Sequence, residues 1–217
     1  MKAILLLDGD ISSATLFYYL REKGIEIHPV IFKYDQMHFK NMKMARKLSR
    51  VLKAKPRTSC VDCACYPFSL TGNESCCSSD AEIKKHIPLK QGIFQNVVFL
   101  TMACNYAGQI GVEKIFYAAH QVDRGVEFVD TFNKMVKTIS PNISIEAPFL
   151  TYSEADIVKL GMELKVPYEN TWSCQFGGER PCLKCDGCIS RAAIFKQLNI
   201  KDPLLTNEEW SKQLELL

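Results

Sequence analysis

Ten cysteines in a chain of 217 residues are the first feature with chemical consequences, and four of them are spaced for metal. Cys174, Cys182, Cys185 and Cys188 follow the pattern C-x7-C-x2-C-x2-C. Two intervening residues let neighbouring thiolates converge on one ion, and Gly177, Gly178, Pro181 and Gly187 supply the tight turns. Four thiolates at about 2.3 Å in tetrahedral geometry are the preferred structural zinc site, with no position left for water. Such a metal holds a loop and performs no chemistry. An iron–sulfur cluster uses the same ligand type, so ligand identity alone leaves that alternative open. Cys60, Cys63, Cys65, Cys76 and Cys77 fit no four-ligand pattern, and Cys104 falls in an apolar helical repeat, as a core residue would.

The second chemical feature is Asp8-Gly9-Asp10-Ile11-Ser12-Ser13. Gly9 permits close backbone approach, and the two serine hydroxyls can donate to anionic oxygens. The carboxylates oppose an anion, since like charges ~4 Å apart repel by about 4 kcal/mol at an effective dielectric of 20. A magnesium ion between them reverses that conclusion, because carboxylates plus phosphate oxygens are its usual shell.

The elements that must carry these residues alternate. Ala3 to Leu7 reads as a buried strand, Ser13 to Lys23 as a helix closed by Gly24, and Ile27 to Phe32 as a second strand. A helix follows over 40–53, with Met44, Leu48, Val51 and Leu52 on one face. Further helices are predicted over 95–110, Val126 to Val136 and Ser153 to Leu164, and strands over Lys114 to Ala118 and Ile143 to Ala147. Ser153 with Asp156 three residues on is close to a capping box. Strands alternating with helices predict an α/β, doubly wound, mostly parallel sheet. In such a sheet the first strand-to-helix turn, here residues 8–13, is where ligands bind. The stretches 54–92 and beyond Asn170 break the pattern and read as appendages. We expect residues 1–168 to form a nucleotide-binding-like domain, and 169–217 a zinc-binding loop with a helical segment, its helix starting near Ile189.

A hydrophobic fraction of 47% and a net charge of +3 exclude a disordered chain. The longest apolar run near the start, Ala3 to Leu7, is far too short for a membrane span or signal-peptide core. The expectation is a cytoplasmic protein that uses no membrane. Residues 40–57 carry eight Lys or Arg and no acid, but no aromatic residue is interleaved for base stacking, so a solvated face is favoured over nucleic acid. His120, beside Asp123 after a strand, has the chemistry for acid–base work. Trp172, next to the cysteine loop, is expected to pack on it.

Taken together, these features resemble the 7-cyano-7-deazaguanine synthase (QueC-type) family of PP-loop ATP pyrophosphatases. The likeness rests on Ala147-Pro148, Lys165-Val166-Pro167-Tyr168, Thr171-Trp172-Ser173-Cys174 and the run from Pro181 to Arg191, in that order. Gln95-Asn96-Val97-Val98-Phe99-Leu100 is similar to the family's "RNxxFL" helix start. The resemblance implies an adenine-nucleotide alpha-hydrolase-like fold and an ATP-dependent ligase. Such an enzyme adenylates the carboxylate of 7-carboxy-7-deazaguanine, forms the amide with ammonia and dehydrates it to the nitrile, in queuosine biosynthesis. It also implies magnesium, zinc on the four cysteines, and a homodimer. Asp8, Gly9, Asp10, Ser12, Ser13, Asn96 and Asp123 would then contact the nucleotide, while the catalytic residues stay unassigned.

Three departures qualify that reading. The family loop is Ser-Gly-Gly-x-Asp-Ser, of which Gly9 and Ser13 remain. The arginine before Asn96 is Gln95, and the family's "DxSGYPDCRPEF" is shortened to Val122-Asp123-Arg124-Gly125-Val126-Glu127-Phe128. Changes in three parts of the expected site beside an intact cysteine scaffold point to altered function. The acceptor would be a deazapurine or another group such as a protein terminus. The alternative is a scaffold that has lost catalysis and keeps the metal.

Overall fold

The computed structural model describes residues 1–33, 39–60, 95–120 and 125–217. Among them are five strands, β1 (Lys2–Leu6), β2 (Glu26–Lys33), β3 (Arg57–Cys60), β4 (Lys114–Phe116) and β5 (Ser144–Glu146). The helices are α1 (Ile11–Glu22), α2 (Phe39–Val51), α3 (Gln95–Ile110), α4 (Gly125–Ile139), α5 (Glu154–Glu163), α6 (Asp186–Gln197) and α7 (Asn207–Glu215). A 3-10 turn spans Tyr168–Asn170.

All strand pairings are parallel, in the order β3-β2-β1-β4-β5. The order reverses between β1 and β4, so the loops leaving these two strands open a crevice at the carboxyl edge of the sheet, where open α/β sheets bind ligands. Alternation along β1 explains the two layers. Ala3 and Leu5 pack with α1, α2 and α5 on one face, while Ile4 packs with α3 and α4 on the other. The outer edge of β5 is closed by a side chain. Asn133 of α4 donates to the Ile145 carbonyl and accepts from the Ile145 N–H, both at 2.8 Å, in place of a further strand.

Helix signals in the sequence are realised locally. Ser153 and Asp156 form the capping box that opens α5. Asp10 caps α1, which therefore starts at Ile11, two residues before the expected Ser13.

Other expectations shift. Residues 57–60, placed by the sequence in an irregular appendage, form an edge strand instead, because β2 offers them a parallel register from Val30↔Arg57 to Lys33↔Cys60. The buried stripe of α2 is Asn41, Met42, Ala45, Leu48 and Ser49, and Val51 is exposed. The rotation arises because α2 packs two polar residues inward whose hydrogen bonds are met within the protein, which an apolar pattern cannot register. The helix in the cysteine-bearing tail starts at Asp186, three residues before Ile189, and α7 follows it.

Candidate active-site loop and metal centre

The loop between β1 and α1 is held by its own side chains. Ser13 Oγ accepts the backbone N–H of Gly9 at 3.1 Å and of Asp8 at 3.3 Å, and the Ser13 N–H donates to Asp10 Oδ1 at 2.8 Å. Three backbone donors that a phosphate-binding loop would aim at a ligand are thus engaged, and a carboxylate sits at the positive end of α1. The Ser13 hydroxyl accepts in these contacts and keeps its own proton to donate. Ser12 is buried beside it.

Asp8, on the other side of Gly9, is exposed. Desolvation by the protein around it, and then the Asp10 charge, push its carboxyl up to about 7. Contact with water tempers the first of these effects. The pair is therefore short of positive charge, which a divalent cation would supply. The same two groups make a poor seat for a bare phosphate.

Gly9 is wedged against α2. Its φ is +87°, and a Cβ there would lie 2.3 Å from the Asn41 carbonyl oxygen and 2.8 Å from the Ala45 nitrogen. Its carbonyl accepts the Trp172 N–H at 2.9 Å, and Asn41 Nδ2 donates to the Trp172 carbonyl at 3.1 Å. Trp172 is 1% exposed, with Lys40 Nζ 4.9 Å above its ring. The expected packing of Trp172 on the cysteine loop is observed, and its backbone also clamps the β1 loop.

Two residues beyond Trp172 the cysteine cluster begins. The sulfurs of Cys174, Cys182, Cys185 and Cys188 all lie within 4.8 Å of one another. Cys185 and Cys174 are 3.9 Å apart and Cys182 and Cys188 4.0 Å. Tetrahedral coordination at 2.3 Å per bond requires sulfur separations of about 3.8 Å, so this donor set fits one thiophilic ion. The Cys188 thiol and the backbone N–H groups of Cys182 and Phe176 draw Cys174 down to about 5, against the effect of its burial. Cys188 moves up through its hydrogen bond to Cys174, and Cys185 up through burial. Gly187 lets the first turn of α6 approach, since a Cβ there would meet the Ser173 carbonyl oxygen at 2.0 Å.

Behind the cluster is an ion pair that sequence reasoning missed. Arg191, 4% exposed, makes a bidentate pair with Asp202 at 2.6 and 2.8 Å. It also donates to Thr171 Oγ1 at 2.7 Å and to the Tyr168 carbonyl at 3.0 Å. One guanidinium thus ties the 3-10 turn, the Trp172 segment, α6 and the following loop together. The paired Arg and Asp were visible in sequence, but nothing in their spacing announced that they meet.

The remaining candidates are dispersed. Asn96 is exposed in the first turn of α3, which runs back to the start of the parallel strand β4 and so begins on the carboxyl edge. His120 leaves β4 on the same edge, with Nε2 3.8 Å from Glu154 Oε1 of α5. Asp123 lies outside the described residues, as do Cys63, Cys65, Cys76 and Cys77, and Cys104 is a thiol raised to about 11 by burial.

A family model described as "Queuosine biosynthesis protein QueC" matches residues 2–199. The chain belongs to the QueC family. The 7-cyano-7-deazaguanine synthase of Archaeoglobus fulgidus is 37% identical over 231 residues, covering 100% of this chain and 95% of that protein. That of Thermoplasma volcanium is 35% identical over 94% of this chain and 90% of its own length. Two solved structures share the fold at low identity. An NMN synthetase from Francisella tularensis has a TM-score of 0.56 at 13% identity, over 99% of this chain and 82% of its own. The U34-tRNA thiolase NcsA from Methanococcus maripaludis has a TM-score of 0.53 at 12% identity, over 100% and 71%. The fold is therefore adenine-nucleotide alpha-hydrolase-like, as the QueC resemblance implied. The QueC motif residues that carried it have visible work here. Trp172 holds the β1 loop, Thr171 and Arg191 brace it, and the cysteines close the loop beneath.

Proposed function

We propose that this chain is an ATP-dependent carbon–nitrogen ligase of QueC type that activates a carboxylate by adenylation. The reading is carried by the β1 loop, which leaves the sheet where the strand order reverses and is fixed there by Trp172 and Asn41. Its acid is a small deazapurine carboxylate, the substrate class that the QueC resemblance implies, and an altered acceptor such as a protein terminus is the other candidate. Residues 1–168 carry the nucleotide site and residues 169–217 the metal-held brace.

Gly9 lets the loop pack closely on α2, and Ser12 and Ser13 supply hydroxyl donors to the phosphates. Asp8 and Asp10 would hold magnesium, which would supply positive charge against theirs and that of the phosphates. Asn96 and Asp123 complete the nucleotide side. A carboxylate oxygen of the acid attacks the α-phosphorus, pyrophosphate leaves, and ammonia then displaces AMP to form the amide. Rigid placement of the loop supplies orientation rather than acid–base chemistry. Cys174, Cys182, Cys185 and Cys188 would hold zinc, a closed structural site that would brace the segment by which Trp172 bonds Gly9.

A second reading, a non-catalytic QueC-like scaffold, is favoured by one observation: the Asp10 carboxylate occupies the α1 terminus where a phosphate would bind. Calorimetric titration with ATP separates the two. The ligase requires binding heat that depends on magnesium, whereas a scaffold gives none with or without the ion.

A further inference from the structure

We propose that the basic face of α2 is a docking surface for an unpaired nucleic-acid strand, bound through its phosphates and stacked bases. The eight Lys and Arg between residues 40 and 57 face no acid within that segment, while the remainder of the chain is net acidic. Lys43, Lys47 and Arg50 recur at helical spacing on the exposed side of α2, opposite buried Ala45 and Leu48. Among the described residues, none of the three takes part in an ion pair. From Lys40 to Arg50 the row is about 15 Å long at 1.5 Å per residue, enough for several backbone phosphates.

Sequence order offers no aromatic residue within this run, but one immediately precedes it and the fold brings others to it. Phe39, which opens α2, is 58% exposed, and Phe176 of the cysteine loop is 47% exposed. Lys40 Nζ donates to the Glu179 carbonyl at 3.2 Å and so joins the first turn of α2 to the loop that carries Phe176. At the far end, the Arg57 guanidinium lies 4.5 Å over the Tyr106 ring. Cations in a row with exposed rings at its end match the two demands of a single strand, phosphate neutralisation and stacking of splayed bases. A duplex keeps its bases stacked and leaves the rings unused, and an acidic peptide has no bases to offer them.

The full-length protein would be titrated by fluorescence anisotropy against labelled single-stranded 15-mers of RNA and of DNA, a 15-base-pair duplex, and polyglutamate. The single strands should bind, with preference for one sugar identifying the source, and log K should fall with log salt at a slope of about −2 for three cations. K43Q/K47Q/R50Q should flatten that slope, while F39A/F176A should weaken binding about tenfold or more at unchanged slope. Circular dichroism confirms that each variant folds, since all five side chains are exposed. No binding at 50 mM salt, equal affinity for duplex or polyglutamate, or an unchanged slope in the triple variant would each overturn the proposal. None of these outcomes depends on ATP, so the ligase reading stands or falls separately.

Discussion

Gly9→Ala and Gly24→Ala together isolate the contact on which the loop geometry depends. Both glycines have positive φ, +87° and +69°. Holding an L side chain in that region costs about 1–2 kcal/mol. Nothing lies within 4 Å of a Cβ at Gly24, so that cost should be the whole effect there. At Gly9 the Cβ would meet backbone at 2.3 and 2.8 Å, and neither Asn41 nor Ala45 can move aside by turning a rotamer. Overpacking of this kind adds about 1–3 kcal/mol. We therefore expect urea unfolding to give about 1–2 kcal/mol of destabilisation for Gly24→Ala and about 2–5 kcal/mol for Gly9→Ala. Because the Gly9 carbonyl holds the Trp172 N–H, Trp172 emission should also shift in the Gly9 variant, with Trp210 as the one other tryptophan. Equal destabilisation by the two substitutions, with unchanged emission in both, would refute the wedge between the β1 loop and α2.

Other expectations follow from the same contacts. Asp202→Ala leaves the buried Arg191 guanidinium unpaired and should cost about 3–5 kcal/mol, read as a fall in melting temperature of about 2–4 °C per kcal/mol for a chain of this size. The raised Asp8 carboxyl favours its protonated form in the folded state, so its contribution is complete below the ordinary carboxylate range and is lost as pH rises through about 7. In magnesium-free buffer the wild type should therefore lose stability from pH 5 to pH 8 more steeply than Asp8→Asn; parallel curves would contradict this. Metal analysis of the purified protein should find one zinc per chain and none in Cys185→Ser, whereas labile iron with sulfide would assign the cluster to iron.

Much of the fold was legible because its signals are local. Ala3 to Leu7 is apolar enough to be a central strand, and Ser153 with Asp156 caps α5 as read. Thr206 with Glu209 carries the same signal for α7. β3 was missed because Arg57-Thr58-Ser59-Cys60 is short and polar, and only its pairing with β2 makes it a strand. On α2, Leu48 is buried and Met44 and Leu52 pack inward as expected, while Val51 is exposed and the centre of the buried stripe lies elsewhere for a related reason. Asn41 and Ser49 are buried with their bonds made, the first to Trp172 and the second to Ala45, so polarity concealed the packed side. In the candidate site, the cysteine spacing announced a convergence that the sulfurs do make, since metal ligands lie close in sequence. The clamp from Trp172 to Gly9 and the Arg191–Asp202 pair depend on long-range contacts, for which periodicity and spacing carry no signal.

Adenylation requires that a loop with two carboxylates still seat a nucleotide. The direct measurement is pyrophosphate release from ATP by the zinc-loaded protein, with and without 7-carboxy-7-deazaguanine and magnesium. Release should require both the acid and magnesium and be lost in Asp8→Asn/Asp10→Asn. Absence of release under every combination, from protein that carries its zinc and unfolds cooperatively, would contradict the ligase and leave the scaffold.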